Sequence, residues 1–112
     1  MEHTILIVGH RTGIGRSIAE LMLNSGHNVL GISREACDYS HENLTSLNCN
    51  IAEIDDSLIP ENLSGFVYCP GTINLKPFRS LKVQDFQNDF EINALGAASA
   101  LQKVERSIKS GK

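Results

Sequence analysis

Three glycines, Gly9, Gly13 and Gly15, stand where an apolar segment of the chain gives way to a helical one. The first lets the chain turn sharply off a strand, and the other two remove side chains where a ligand and the following helix come close. The first N–H groups of a helix lack internal partners and lie at its positive dipole end. The pattern therefore predicts a backbone turn that binds a phosphate group.

Apolar segments recur along the chain, and most are short and continuous. Such runs are typical of strands that are covered on both faces in a parallel sheet. Four strands are predicted, at 5–8, 29–32, 44–49 and 66–69, and the third is the weakest. Because strands alternate with helical segments, we expect an α/β fold: a Rossmann-type, doubly wound parallel sheet with strand order 3-2-1-4.

Two helices are predicted from apolar stripes with a step of three or four residues. The first begins near Gly13, stops at Gly26 and has the stripe Ile14, Ile18, Leu21 and Met22. The second is long, covers about 83–108 and has the stripe Val83, Phe86, Phe90, Ala97, Leu101, Val104 and Ile108. Between the third and fourth strands, where Pro60 interrupts the chain, only a short helix or loop is expected.

Length and charge limit the class of protein. The 112 residues fit one domain, 1–112, with a core of its own. A net charge of −3 without a basic cluster argues against a nucleic-acid partner. No apolar run reaches the roughly 18 residues of a membrane span, so we expect no membrane and a cytoplasmic location. Three cysteines and four histidines without ligand spacing predict no metal site.

The glycine spacing resembles the G-x-x-x-G-x-G cofactor fingerprint of the short-chain dehydrogenase/reductase family. Further landmarks of that family follow in order, so the resemblance covers essentially the whole chain. It implies that the turn binds the diphosphate of a nicotinamide dinucleotide. The residues implied as cofactor contacts in this turn are Gly9, Arg11, Thr12, Gly13, Ile14 and Gly15.

The residues after the second strand decide between NAD and NADP in that family. Here Ser33 is followed by Arg34, which resembles the NADP-preferring members, because a guanidinium can bind a 2′-phosphate. Arg11 could add a second positive charge, whereas Glu35 could pair with Arg34 and weaken the preference. We therefore expect NADP, with NAD as the alternative. In the opposing interpretation Arg34 is only a solvated surface residue.

Two more implied contacts lie after the third and fourth strands. Asn50 and Ile51 stand where the family places an aspartate and an apolar residue against the adenine. Pro70 and Gly71 stand in the family's N-A-G position, of which only the glycine is kept. The close approach of backbone to cofactor is therefore expected to persist there.

Asn93 lies within the apolar stripe of the long helix and aligns with a catalytic asparagine of the family. The resemblance implies that it kinks the helix and holds a water in a proton relay. The alternative is an asparagine bonded to local backbone for packing alone. The same helix packs against a partner subunit in family members, so a homo-oligomer through helix 83–108 is expected.

The family's catalytic serine and Tyr-x-x-x-Lys pair have no counterpart in this chain. The resemblance thus implies the cofactor-binding portion of an oxidoreductase, without the carboxy-terminal half of the family fold. In the full-length enzyme it would interconvert a carbonyl and an alcohol on a small-molecule substrate. The chain alone is expected to be inactive. The alternative is a non-catalytic dinucleotide-binding or sensing module; a P-loop is disfavoured because Arg16 replaces its lysine.

Overall fold

The computed structural model describes residues 3–71 and 75–110. Four parallel strands form one sheet in the order β3-β2-β1-β4. The predicted fold class and strand order are therefore confirmed. The strands are β1 Thr4–Val8, β2 Asn28–Ser33, β3 Leu44–Asn48 and β4 Gly65–Tyr68.

Strand β1 is an inner strand of the sheet and lies between β2 and β4. Leu6 stands beside Leu30 of β2 on one side and Phe66 of β4 on the other. The sequence order reverses between β1 and β4, because β2 and β3 extend the sheet in the opposite direction. In open α/β sheets, such a reversal creates a crevice at the carboxyl ends of the strands, where ligands bind. The glycine turn follows β1 at that edge.

Helix α1, Gly13–Asn24, covers one face of the sheet. Its buried row is Gly15, Ala19 and Leu23, whereas Ile14 and Leu21 are 75% and 61% exposed. The predicted stripe was therefore wrong at these two positions. The small residues Gly15 and Ala19, four positions apart, let the helix backbone approach the sheet. Because glycine and alanine are only weakly hydrophobic, apolar periodicity does not identify this row as the buried one.

The connection between β2 and β3, residues 34–43, consists of bends and turns without a helix. Two single 3-10 turns, Ile51–Glu53 and Asp56–Leu58, connect β3 to β4. This agrees with the expected short helix or loop. A third 3-10 turn, Phe78–Ser80, precedes the long helix.

The long helix lies on the other face of the sheet and has three parts. Helix α2, Val83–Phe90, leads into a π turn, Glu91–Leu95, which leads into α3, Gly96–Ser110. Helix α3 packs against β4, whereas α2 contacts mainly the π turn. The core on this face consists of Leu6, Val8, Leu30, Ile32, Ile51, Ile54, Leu63, Ala100 and Val104.

The predicted apolar stripe of the long helix is buried only towards its carboxyl end. Val104 is fully buried, but Val83, Phe86 and Phe90 are 72%, 51% and 61% exposed. The stripe was therefore wrong as a prediction of the core face in α2, and also at Leu101 of α3, which is 48% exposed. The physical reason is that the main contacts of α2 are with the π turn that continues the same helix and not with the sheet, so no described layer covers its aromatic side chains. Within the described residues, no helix is long and apolar enough to cross a membrane.

Candidate functional site

The glycine turn closes by direct contact between two glycines. A Cβ atom at Gly15 would lie 2.0 Å from the carbonyl oxygen of Gly9, so no side chain fits there. Gly9 and Gly13 have φ angles of +88° and +62°, in the left-handed region that side chains disfavour. Each of the three glycines is therefore required by the backbone that the structure adopts.

The amino end of α1 is not capped by a side chain. Thr12 precedes the helix in an extended conformation, and its hydroxyl accepts no hydrogen bond from the first turn. The first turn contains no acidic residue, and a Cβ at Gly13 would meet no described atom within 4 Å. Ile14 is exposed beside it. The backbone amides of this turn are therefore accessible to an anion from outside the protein.

His10 connects the glycine turn to strand β3 of the sheet. Its side chain is fully buried, and its Nε2 lies 2.9 Å from the Ser46 hydroxyl oxygen on β3. The Tyr39 hydroxyl donates to the His10 carbonyl over 2.7 Å. A Cβ at Gly31 would lie 2.3 Å from the imidazole, so glycine makes room for the ring. His10 is not among the predicted site residues; its sequence signal is the glycine within the buried strand β2, which indicates the close approach of another group.

Burial also controls the charge of His10. Its Nδ1 has no hydrogen-bond partner among the described residues. Burial lowers the pKa of the imidazole, and the nearby Ile32 carbonyl opposes this effect to a smaller degree. The folded chain therefore favours the neutral ring, which adds no positive charge beneath the turn.

The loop after β2 brings charged residues to the same edge of the sheet. Glu35 forms an ion pair with Arg11 instead of Arg34, so its carboxylate offsets the charge in the glycine turn. The Ser33 hydroxyl donates to the Glu35 carbonyl over 2.6 Å, which fixes the loop locally. Arg34 is exposed, and its charge acts on the phenol of Tyr68. Arg34 thus remains a surface cation at the end of β2.

The two residues expected against an adenine take part in the fold. The Asn50 side-chain oxygen accepts a hydrogen bond of 3.0 Å from the Ala52 N–H and caps a 3-10 turn. Ile51 is only 7% exposed and belongs to the core on the long-helix face. Asn50 keeps one lone pair for a ligand, whereas Ile51 offers little surface to one.

The segment after β4 packs against the glycine turn. A Cβ at Gly9 would lie 3.3 Å from Cys69 Cβ and 3.4 Å from Pro70 Cδ. Gly71 is exposed, and a Cβ there would lie 3.3 Å from the side-chain oxygen of Asn93. Asn93 lies in the π turn and is itself exposed, so it is not an apolar-core residue. The helix departs from α geometry at this residue.

These contacts bring together the glycine turn, the end of β2 and the segment after β4. No family model matches the chain. The chain is 25% identical, over 124 aligned positions, to the vibriobactin-specific 2,3-dihydro-2,3-dihydroxybenzoate dehydrogenase of Vibrio cholerae. The chain resembles the short-chain dehydrogenases in sequence and fold. The alignment covers 95% of this chain and 47% of that relative.

Solved structures of short-chain dehydrogenases share the fold. A short-chain dehydrogenase/reductase from Brucella melitensis has a TM-score of 0.82 and 23% identity, covering 95% of this chain and 52% of that one. A short-chain dehydrogenase from Leptospira borgpetersenii, with bound NAD+, has a TM-score of 0.80 and 18% identity, covering 95% and 46%. The chain therefore spans about half the length of the short-chain dehydrogenases that it matches.

We expect the stability of the chain to fall with acidification through His10. Above its ordinary pKa of about 6.5 the ring is neutral in both states; below it, the unfolded chain binds a proton that the folded chain resists. The free energy of unfolding should therefore decrease from about pH 6.5 down to the lowered pKa of the folded state. Urea unfolding at several pH values measures this decrease. It should be smaller in His10→Gln, and an equal pH dependence in the variant would contradict the assignment.

Proposed function

We propose that this chain binds a nicotinamide dinucleotide through its glycine turn, as the cofactor-binding portion of a short-chain dehydrogenase. The observation that carries the proposal is the close approach of Gly15 to the Gly9 carbonyl, which places the uncapped first turn of α1 at the carboxyl end of β1. A diphosphate fits this arrangement, because exposed N–H groups and the positive helix end both favour an anion.

We further propose that NADP is preferred to NAD. Arg34 is exposed at the end of β2, where the ribose of a dinucleotide bound along this edge would lie. A guanidinium can form two charge-assisted hydrogen bonds to a phosphate and gains little from a ribose hydroxyl. Glu35, the acidic neighbour, is engaged by Arg11 and does not neutralise Arg34.

The bound dinucleotide would supply hydride chemistry between a carbonyl and an alcohol of a small-molecule substrate. The chain's own residues would bind and orient it: the glycine turn at the diphosphate, Arg34 at one end and Gly71 with Asn93 further along the edge. We infer that Asn93 supports a proton path in the full-length enzyme. The sequence contains no Tyr-x-x-x-Lys pair, so we expect no dehydrogenase activity from the 112 residues alone.

A homo-oligomer through the long helix is a separate part of the proposal. Val83, Phe86 and Phe90 lie at steps of three and four residues on α2 and are more than half exposed. An apolar helical face of this kind is stabilised when a second copy covers it. Ala97 and Ala98 are small residues further along the same helix, where another helix could approach closely, whereas the space beside Gly96 is occupied by Tyr68.

Gly13→Val tests the glycine turn. Nothing described lies within 4 Å of a Cβ at this position, so the valine should cost only the strain of a positive φ, about 1–2 kcal/mol. It should nevertheless abolish dinucleotide binding, because it projects into the space where the diphosphate would lie. Isothermal titration with NADP and with NAD measures the loss.

Gly26→Val is the matched control for that variant. Gly26 lies at the other end of α1 with a φ of +87°, and a Cβ there also meets no described atom within 4 Å. It should lose comparable stability and keep its affinity for the dinucleotide. Equal affinities in the two variants would refute binding at the glycine turn.

Arg34→Ala tests the choice of cofactor. Loss of a charge-assisted phosphate contact should weaken NADP binding by about tenfold to a hundredfold, with a change of less than about twofold for NAD. Arg79→Ala, at another exposed arginine, should change neither affinity. Equal losses for the two cofactors in Arg34→Ala would rule out the proposed preference.

Phe90→Ser tests the oligomer. If α2 contributes to an interface with a second copy, loss of this aromatic ring should weaken association by about 2 kcal/mol, roughly thirtyfold. Sedimentation equilibrium measures the association constant. Leu21→Ser is the control, because Leu21 is 61% exposed on α1, on the opposite face of the sheet from the long helix. A monomeric wild-type chain, or equal effects of both variants, would argue against this interface.

A further inference from the structure

The end of β4 is bonded directly to the π turn of the long helix. The Tyr68 hydroxyl donates to the Ile92 carbonyl over 2.9 Å. Within the π turn, the Gly96 N–H donates to the Glu91 carbonyl, five residues earlier. The wider hydrogen-bonded ring of this turn is uncommon in proteins and often accompanies a functional site. The hydrogen bond from Tyr68 is thus a tertiary contact at the π turn, the place where the described part of this helix departs from α geometry.

Gly96 makes the space in which the phenol lies. A Cβ at Gly96 would be 2.5 Å from the Tyr68 hydroxyl oxygen and 2.9 Å from the Glu91 carbonyl oxygen. Any larger residue would therefore displace the phenol or the turn. Glycine is a poor residue inside a helix, so its presence here agrees with a packing requirement. The Tyr68 ring also packs against the core on this face, and burial raises the pKa of its hydroxyl, which keeps the proton that it donates.

The residue after Ile92 is Asn93. Its side-chain oxygen lies beside Gly71, where a Cβ would be 3.3 Å away. Gly71 follows Tyr68 by three residues along the chain. The segment 68–71 thus contacts the π turn twice. Its first residue, Tyr68, donates to the Ile92 carbonyl, and its last, Gly71, lies beside the Asn93 side chain. The position of Asn93 relative to the carboxyl edge of the sheet, where a cofactor would bind, therefore depends on the contacts that fix the π turn.

We propose that Tyr68 is a positioning residue: its hydroxyl, in the space left by Gly96, holds the π turn so that Asn93 stays beside Gly71. The relevance of this contact to a cofactor rests on the proposed function, but the contact itself can be tested in the free chain. Nothing in the Tyr68 bond requires a dinucleotide.

Tyr68→Phe tests the proposal, since it removes the hydroxyl and keeps the ring. Amide hydrogen exchange by NMR should become about threefold to tenfold faster at residues 92–96, as expected for the loss of one net hydrogen bond. The side-chain amide resonances of Asn93 should shift as well. A merely structural role for Tyr68 would lower global stability without a local change at the π turn or Asn93.

Tyr39→Phe is the matched control. The Tyr39 hydroxyl also donates to a backbone carbonyl, that of His10, over 2.7 Å, so the variant loses the same type of bond elsewhere. It should leave exchange at 92–96 and the Asn93 resonances unchanged. Unchanged exchange in Tyr68→Phe, or the same local effect in both variants, would overturn the proposal.

Gly96→Ala provides a second variant that keeps the hydroxyl. Alanine is the better helix former, so helix propensity alone predicts a more stable chain with an undisturbed Asn93. The proposed contact instead predicts faster exchange at 92–96 and shifted Asn93 resonances, because the methyl group displaces the phenol. A stabilised chain with wild-type Asn93 resonances would count against the proposal.

These measurements distinguish failure of dinucleotide binding from failure of the positioning role of Tyr68. If the chain binds neither NADP nor NAD but Tyr68→Phe loosens the π turn, the proposed function fails and the positioning role remains. If the dinucleotide binds and Tyr68→Phe leaves residues 92–96 and Asn93 as they are in the wild type, only the positioning role fails.

Discussion

The absence of a side chain at Gly15 determines how the rest of the site is built. A single methyl group there would lie 2.0 Å from the Gly9 carbonyl oxygen, so the turn could not close. Because it closes, α1 begins directly beside the end of β1 and runs close to the sheet through the row Gly15, Ala19 and Leu23. The same contact places the first turn of α1 at the carboxyl end of β1, where the strand order reverses towards β4, which is why an anion site and the fold share one constraint.

Polar contacts support this turn beside β3, a strand with which none of the described α-helices makes a main contact. The connection 34–43 is irregular, and the buried His10 ring bridges from the turn to Ser46 on β3. Tyr39 holds the His10 carbonyl from the other side. This support depends on pH, because burial opposes protonation of the imidazole, and a protonated ring would weaken the closed turn. Local bonds here replace the apolar packing that a helix would provide.

Sequence patterns predicted what depends on local chemistry. Strand runs, glycine spacing and the stop at Gly26 specified the fold class, the strand order and the place of the turn, because each reflects backbone geometry or burial on both faces. Contacts between distant segments escaped prediction. The pairing of Arg11 with Glu35 and the burial of His10 depend on how residues 34–43 cross the sheet. Helix periodicity also failed in α2, since periodicity identifies an apolar face but not the layer that covers it.

Helix α2 has a consequence for how the molecule unfolds. It contacts mainly the π turn, while α3 packs on β4 and shares the core of the sheet. Most of the surface of α2 is already in contact with solvent, so its unfolding would expose little more. It can therefore unfold while the sheet stays intact. In the isolated chain, we therefore expect α2 to open before the sheet melts. The aromatic face that it carries would then sample many orientations before any partner fixes one.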